Sequence, residues 1–312
     1  MRSNAACSLK QLHAIPGGAT MGQSVAVIGL GNMGGRSAVR LLGAGASVSG
    51  YDPLPAARDK AADAGVRAFD SAAAAIEGAD VVLLSVPMPA DVLATAHDLL
   101  AELPASTIVV DISTIDPATA REAAEIVGAS GATYLETPVL GRPEACGEWT
   151  LVAGGPADKI GQVRELLEAS IAKAMVHAGE IGSGSTVKLL NNLMFGAINA
   201  VTAEVLNVAR QAGVPPERFI SIVKDSGAAT VSPLFRHVGS RVSDEDFSPN
   251  FGLSLLQKDN RLALQLARSV GGPTFVGNSV DQVNTLAADQ QWGGDDTTVV
   301  YKLYQLLSAT DG

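Results

Sequence analysis

The chain has 312 residues, 47% of them hydrophobic and only 4% aromatic, so it is long enough for about two hydrophobic cores. Its formal net charge is −10 without a cluster of Lys or Arg, which argues against nucleic acid as a partner, because neutralising phosphates needs concentrated positive charge. Two cysteines far apart in the sequence argue against a disulfide framework, and no unbroken apolar run has the roughly 18 residues that favour a membrane span.

The chain begins with a segment unlike the rest. Residues 1–21 lack the Arg-rich amphipathic pattern of a transit peptide and are predicted to be a disordered extension, or a wrongly assigned start with Met21 as the true one. The cytoplasm is the expected location, because a chain without a disulfide framework fits a reducing compartment. From Ser24 onward, short apolar runs alternate with helical stretches, a pattern typical of a parallel sheet covered by helices. The predicted strands are 24–30, 46–52, 80–87 and 106–111, with weaker ones at 133–139, 150–153 and 175–178.

A glycine-rich segment follows the first predicted strand and opens a helix. Its G-x-G-x-x-G pattern allows a tight turn, close approach of the backbone to a pyrophosphate, and N–H groups at a helix N-terminus. The second strand ends at Asp52, about 20 residues on, where an acid accepts hydrogen bonds from ribose hydroxyls and repels a 2′-phosphate. NAD is therefore the predicted cofactor, with NADP as an alternative; a mere turn, with Asp52 capping the next helix, is the competing interpretation. The segment consists of Gly29, Leu30, Gly31, Asn32, Met33 and Gly34.

Two further strand ends are candidates for ligand contact, because ligands of open parallel sheets bind beyond the carboxyl ends of the strands. Val86 and Pro87 follow one strand and are predicted to contact the cofactor. Ser113 follows the next strand and is predicted to contact both cofactor and substrate. The competing interpretation is that Ser113 and Thr114 cap the helix that begins near Pro117, and both roles can hold at once.

After Gly184 the chain is helical almost to its end, with predicted breaks at 213–216, near Gly227, at 248–249 and at 271–273. Residues 185–212 predict one helix, long enough to bridge two domains or to build a subunit interface. Lys188 and Asn192 lie four residues apart on it and share one face. Polar groups on an apolar helix need partners, so the pair indicates either a structural network or a reaction site.

Four segments together resemble the beta-hydroxyacid dehydrogenase family, whose members include 3-hydroxyisobutyrate dehydrogenase and tartronate semialdehyde reductase. They are residues 29–34, 111–114, 182–192 and Lys258-Asp259, and their order and spacing match nearly throughout from residue 22 onward. The resemblance implies an α/β fold, with a Rossmann-type, doubly wound, mostly parallel sheet in a dinucleotide-binding domain at 22–182. It also implies an all-α substrate and oligomerisation domain at 183–312, and a homodimer or homotetramer.

The resemblance further implies that Lys188 transfers a proton, that Asn192 orients the substrate or the lysine, and that Lys258 lies near nicotinamide and substrate. Chemistry supports the first role, because oxidising an alcohol needs a base for the hydroxyl proton, and burial can lower a lysine pKa toward about 7–8. The competing interpretation of Lys258 is an interdomain salt bridge.

The sequence departs from the family pattern in Leu140-Gly141-Arg142, where the family usually has Ser-Gly-Gly to hold the substrate carboxylate. These three residues are predicted substrate contacts. A guanidinium at Arg142 can replace the lost hydroxyl with a bidentate contact to an acid. Alternatively, Arg142 points to solvent and the pocket accepts a bulkier or less charged substrate. The loop leaves the substrate open.

The predicted function is transfer of a hydride between NAD and a small 3-hydroxy acid resembling 3-hydroxyisobutyrate, with Lys188 as general acid and base. One alternative is an NADPH-dependent reductase of a small aldehyde acid or of an imine, although imine reductases usually lack the lysine. An alternative of another class is a non-catalytic dinucleotide-binding module. A small molecule is the expected partner, and neither a metal nor a membrane is expected.

Overall fold

The computed structural model describes residues 22–100, 103–226, 230 and 232–308. The predicted extension at 1–21 and the break predicted near Gly227 lie outside the described residues. The chain forms two compact units. The described part of the first consists of residues 22–86, 94–100, 103–113 and Ala124–His177. That of the second consists of Pro87–Leu93, Thr114–Ala123 and residues 178–226, 230 and 232–308. The domain limits 22–182 and 183–312 stay a prediction.

One sheet of nine strands underlies the first unit in the part of the chain described. Its strand order is β3-β2-β1-β4-β5-β6-β8-β7, and β9 also pairs with β8. The pairs from β3 to β6 are parallel, whereas β8 is antiparallel to β6 and β7. The strands are β1 (Ser24–Ile28), β2 (Ser47–Tyr51), β3 (Arg67–Ala68), β4 (Val81–Leu84), β5 (Ile108–Asp111), β6 (Thr133–Glu136), β7 (Val139–Leu140), β8 (Trp149–Gly154) and β9 (Ala172–Gly179).

The sheet core confirms the predicted mostly parallel, doubly wound α/β fold. Every residue of β4 and β5 is buried, as expected of central strands covered on both faces. β1 has β2 on one side and β4 on the other, so the strand order reverses direction at β1. Dinucleotides bind at such a switch point in this class of fold. The helices that follow these strands are α1 (Gly34–Gly43), α2 (Pro55–Asp63), α3 (Ala72–Ile76), α4 (Pro89–Asp98), α5 (Pro117–Gly128) and α6 (Ala157–Glu168).

From residue 183 onward the second unit is built from helices, which confirms the predicted all-α C-terminal region. The long helix α7 matches the helix predicted at 185–212 within two residues and packs against the five helices that follow it. Its buried residues Ala203 and Leu206 share a core with Val238, Leu253 and Val300. The helices are α7 (Ser183–Gln211), α8 (Pro216–Asp225), α9 (Pro233–Ser243), α10 (Leu253–Ser269), α11 (Phe275–Ala287) and α12 (Val300–Ser308).

The sheet differs from the predicted strands at its edges. The strand predicted at 133–139 is two strands, β6 and β7, separated by Thr137 and Pro138, and Pro138 has no backbone N–H to continue the ladder with β5. The two-residue strand β3 was not predicted, since its exposed Arg67 and half-buried Ala68 form no apolar run. β9 begins three residues before the strand predicted at 175–178.

Helix α7 is also the one helix in the described part of the chain whose length and composition would allow it to cross a membrane. The core helix of a folded domain meets the same criteria, and 44% of the relevant α7 window is buried inside the protein. Two of its buried amides are bonded within the helical unit. Asn199 donates to the Thr297 carbonyl at 2.8 Å, and Asn207 donates to the Ser308 hydroxyl at 2.8 Å.

Candidate functional site

The glycine-rich turn follows β1 and is closely packed at its first and last glycines. Gly29 has φ +92°, and a β-carbon there would lie 2.1 Å from the Ser85 carbonyl oxygen. A β-carbon at Gly34 would lie 1.9 Å from the Gly29 carbonyl oxygen. At Gly31, by contrast, a β-carbon would meet no atom of the described residues within 4 Å. The outer glycines therefore close the turn, and the middle one leaves its backbone open to a ligand.

The other residues of the turn divide between core and surface. Leu30 is buried and approaches Gly50 of β2, whereas Asn32 is exposed and Met33 is half-buried at the start of α1. The helix N-terminus at Gly34 adds free N–H groups and a positive dipole end. This arrangement suits a pyrophosphate.

Asp52 lies at the carboxyl end of β2 and is 8% exposed. Its Oδ2 accepts the Leu30 backbone N–H at 2.8 Å, and its Oδ1 accepts the Leu54 N–H at 2.9 Å. The carboxylate thus links the glycine turn to the segment before α2. Asp52 does not cap α2, because the N-cap residue of that helix is Leu54 and no side chain caps it. A carboxylate with about four acceptor positions can make these two bonds and still accept from a ribose, as cofactor binding requires.

Ser113 joins the ends of β4 and β5. Its Oγ accepts the Val86 backbone N–H at 3.0 Å, and its own N–H donates to Asp111 Oδ1 at 2.8 Å. The predicted alternative, a cap on α5, falls to another residue: Asp116 accepts the N–H groups of Ala118 and Thr119. Ser113 therefore links the ends of two adjacent strands, at the edge of the sheet where the cofactor is predicted to bind.

Two buried groups, the Asp111 carboxyl and the Tyr134 phenol, support Ser113. Asp111 belongs to the segment 111–114 singled out in the sequence, whereas Tyr134 and its bond to Asp111 were not predicted. Tyr134 donates its hydroxyl to Asp111 Oδ2 at 2.6 Å, and both residues are buried. Burial raises the pKa of Asp111, against the lowering effect of its hydrogen bonds from Ser113 and Tyr134. Burial also raises the pKa of Tyr134 well above its usual value, so the phenol stays a donor. Strand register brings the two together, since β5 and β6 are neighbours.

The predicted substrate segment lies in the antiparallel part of the first unit. Leu140 ends β7 and pairs with Thr150 of β8, and Arg142 precedes a short 3-10 turn at Pro143–Ala145. Leu140 and Arg142 are half-buried and Gly141 is exposed. The segment therefore presents an exposed main chain flanked by two partly exposed side chains.

In the second unit the structure brings Lys188, Asn192 and Lys258 into one network through Asp259. Asn192 is 4% exposed and donates its Nδ2 to Asp259 Oδ2 at 2.6 Å. Asp259 Oδ1 forms an ion pair with Lys258 Nζ at 2.9 Å. Lys258 Nζ also donates to the Pro87 and Thr114 carbonyl oxygens, at 3.2 and 2.8 Å. The salt bridge expected for Lys258 is thus made with its own neighbour within this unit.

Lys188 lies one turn before Asn192 on α7. The residue is half-buried, and burial of its ammonium end lowers the pKa of Lys188. The negative charge of Asp259 raises the pKa and the positive charge of Lys258 lowers it. Desolvation is the largest of the three effects, so the pKa of Lys188 lies below the ordinary value of a lysine, and the neutral amine, the form that can accept a proton, forms at lower pH than in an exposed lysine.

The helix that carries this lysine begins at a constrained glycine. Gly182 has φ +102°, and a β-carbon there would lie 2.9 Å from Arg121 Nη2 and 3.1 Å from Pro117 Cβ. The Gly182 carbonyl accepts both the N–H and the hydroxyl of Thr186. The start of α7, and so the position of Lys188 one turn on, is fixed against α5.

Comparison with known proteins identifies the family. Residues 24–179 match the family model of the NAD binding domain of 6-phosphogluconate dehydrogenase. Residues 182–304 match the family model described as NAD-binding of NADP-dependent 3-hydroxyisobutyrate dehydrogenase. A 3-hydroxyisobutyrate dehydrogenase of Pseudomonas aeruginosa is 33% identical over 293 residues, covering 90% of this chain and 98% of that protein. The chain belongs to the beta-hydroxyacid dehydrogenase family. It is therefore an NAD(P)-dependent oxidoreductase that acts on CH–OH groups.

Solved structures of the beta-hydroxyacid dehydrogenase family share the fold over nearly the whole chain. A 3-hydroxyisobutyrate dehydrogenase from Salmonella typhimurium has a TM-score of 0.83 at 28% identity and covers 90% of this chain and 99% of its own. The Mycobacterium tuberculosis 3-hydroxyisobutyrate dehydrogenase with L-serine has a TM-score of 0.80 at 29% identity, with the same coverage. An imine reductase from Pseudomonas sp., with a TM-score of 0.62 at 20% identity, shares the fold alone.

Proposed function

We propose that this protein transfers a hydride between NAD and a small 3-hydroxy acid of the 3-hydroxyisobutyrate type, with Lys188 as general acid and base. The observation that carries the proposal is the desolvated Lys188 one turn from Asn192, which is itself held by Asp259. The similarity to 3-hydroxyisobutyrate dehydrogenases supports the substrate class. Retention of the lysine disfavours a non-catalytic dinucleotide-binding module.

Proton transfer is the step that this chain's own residues perform. In the oxidative direction, neutral Lys188 accepts the hydroxyl proton as the alcohol carbon loses its hydride and becomes a carbonyl. In the reductive direction, the Lys188 ammonium donates that proton to the forming alkoxide oxygen. Asn192 is held in one orientation, because its amide nitrogen donates to Asp259 and its carbonyl oxygen accepts the Asn191 Nδ2 at 3.2 Å. That oxygen has two acceptor positions, so one remains for a substrate hydroxyl.

The first unit carries the residues that would hold the cofactor. The glycine turn and the α1 N-terminus suit its pyrophosphate, and Asp52 suits the adenosine ribose. When bound, the nicotinamide supplies the hydride acceptor. Val86 and Ser113, tied to each other at the ends of β4 and β5, are the residues we assign to that half of the cofactor.

Replacing Lys188 tests the proton-transfer role. Lys188→Met removes the base while keeping an unbranched side chain, and turnover of 3-hydroxyisobutyrate is expected to fall by about 10²–10⁴-fold. The affinity for NAD, measured by titration calorimetry, is expected to stay at the wild-type value. Lys224→Met removes an exposed lysine of α8 and is the control. Near-normal turnover by Lys188→Met would show that another group is the base.

The choice of NAD over NADP rests on Asp52. Initial rates with NAD and NADP are expected to favour NAD in the wild type, because the buried carboxylate repels a 2′-phosphate. Asp52→Asn keeps the size of the side chain and removes its charge, so the preference for NAD is expected to shrink. A wild type that prefers NADP would contradict this assignment and favour the reductase alternative.

Segment Leu140–Arg142 is the part of the chain that we assign to the acid group of the substrate. Arg142→Gly distinguishes the two interpretations of its side chain. If the guanidinium binds the acid, KM for 3-hydroxyisobutyrate rises while KM for an uncharged alcohol analogue stays the same. If Arg142 points away, both KM values stay the same and the pocket accepts less charged substrates.

We also propose that the protein is a homo-oligomer whose copies meet on α7. Six exposed apolar side chains of α7 recur at spacings of three, four and seven residues, so they form one stripe on a helix whose other face is buried. Met194→Glu with Val201→Glu is expected to reduce the molar mass in light scattering to that of one chain. Ile222→Glu on exposed α8 is the control, and an unchanged mass in the double variant would exclude this face. The stripe consists of Val187, Leu190, Met194, Val201, Val205 and Val208.

A further inference from the structure

The segment assigned to the substrate acid is held by a tryptophan beneath it. Trp149 begins β8, and its indole is fully buried. Its Nε1–H donates to the Arg142 carbonyl oxygen at 2.7 Å. A β-carbon on Gly141 would lie 2.3 Å from the indole Cδ1, so only glycine fits over the ring. One side chain thus sets both the position of Gly141 and the orientation of the peptide that follows Arg142.

The far end of the same loop is fixed by a different residue. Arg40 of α1 donates its Nε and Nη2 to the Cys146 carbonyl oxygen at 3.1 and 2.7 Å. A β-carbon on Gly147, which has φ +106°, would lie 2.4 Å from Arg40 Nη2. Only the short 3-10 turn at Pro143–Ala145 separates the two attachment points. The loop therefore has little freedom left to lose when it binds a ligand.

From these contacts we propose that Trp149 is a positioning residue that preorganises the main chain of Leu140–Arg142 and so sets the selectivity for acid-bearing substrates. The inference rests on the proposed function, in which this segment contacts the substrate acid. Preorganised groups bind more tightly because the cost of ordering them has been met on folding. In this chain Leu140 replaces the serine whose hydroxyl usually contacts the acid, and a main chain held rigid by Trp149 compensates for that lost contact.

Two substitutions test the contact from its two sides. Trp149→Phe keeps a ring against Gly141 and removes the Nε1–H, and Gly141→Ala keeps the indole and pushes the main chain off it. In both, KM for 3-hydroxyisobutyrate is expected to rise by roughly twofold to tenfold, the value of one hydrogen bond. kcat and the affinity for NAD are expected to change by less than a factor of about two, because neither variant touches Lys188 or the glycine turn. Gly161→Ala, at an exposed α6 position with open space for a β-carbon, is the matched control.

Hydrogen exchange supplies a readout that does not depend on turnover. Peptides that cover residues 140–148 are expected to exchange faster in Trp149→Phe than in the wild type, while those that cover α1 keep their rates. An active wild type together with a Trp149→Phe variant of unchanged KM and unchanged exchange would overturn the role of Trp149 alone. A wild type that oxidises no 3-hydroxy acid with either cofactor would instead overturn the proposed function and the selectivity drawn from it.

Discussion

The glycine turn after β1 allows a prediction that separates folding from cofactor binding. Gly29 and Gly31 belong to the same motif, yet their surroundings differ, since a β-carbon meets the Ser85 carbonyl at Gly29 and open space at Gly31. Gly29→Ala is therefore expected to destabilise the fold. Gly31→Ala is expected to leave the fold intact and to obstruct the pyrophosphate.

The magnitudes follow from the two environments. A left-handed φ costs a non-glycine residue roughly 1–2 kcal/mol, and overlap with a packed neighbour typically costs about 1–3 kcal/mol. Gly29→Ala should thus lose about 2–5 kcal/mol, which lowers Tm by roughly 4–20 °C at about 2–4 °C per kcal/mol. At Gly31 the overlap of about 1–3 kcal/mol arises with the ligand, so Kd for NAD should rise by roughly 5–150-fold.

Thermal unfolding without ligand and calorimetric titration with NAD measure the two effects separately. The expected outcome is a crossed pattern, with a large fall in Tm for Gly29→Ala and a large rise in Kd for Gly31→Ala. An equal fall in Tm in both variants would refute the argument that Gly29 is closely packed and Gly31 is not. Wild-type affinity in Gly31→Ala would refute the assignment of the open backbone to the pyrophosphate.

Three further predictions concern charge. Asp259→Asn removes the charge that raises the pKa of Lys188, so the rising limb of kcat/KM against pH for alcohol oxidation should move to lower pH. The control Asp281→Asn removes the carboxylate that pairs with Arg261 and should leave that limb in place. Because the folded-state pKa of Lys188 is lowered, the unfolded state binds more protons between that pKa and 10.5. The free energy of unfolding, measured by urea titration at several pH values, should therefore rise with pH across this window in the wild type and rise less in Lys188→Met. Tyr134→Phe leaves a buried carboxylate without one donor and should reduce the unfolding free energy by about 1–3 kcal/mol, and an unchanged urea midpoint would contradict that role.

The central fold was predictable because its signals are local. Strands β1, β4 and β5 are unbroken apolar runs next to turn residues, and α7 carries its own periodicity. The edge strand β3 was missed because a strand of two residues without an apolar run has no pattern to read. Its place in the sheet is decided by pairing with β2, which is a tertiary contact.

The candidate site was predictable only where a motif marks it. The glycine turn and the pair Lys188 and Asn192 are recognisable by spacing, and Lys258 by family resemblance. The bond between Asn192 and Asp259, by contrast, spans 67 positions. The bond from Arg40 to Cys146 spans 106 positions and follows from the packing of α1. Periodicity along one element carries no information on such partners, because they are brought together only by the tertiary fold.

Asp52 has a consequence for any attempt to change the cofactor. Deleting this acid removes the group proposed to repel a 2′-phosphate, but both carboxylate oxygens already accept main-chain N–H groups, one of them inside the glycine turn. An alanine at this position would leave the Leu30 N–H unpaired in a buried place and loosen the turn that every dinucleotide needs. The side chain proposed to select NAD is therefore also part of the architecture of the turn. A variant designed for NADP would need a substitute acceptor for the Leu30 N–H before the charge could be removed.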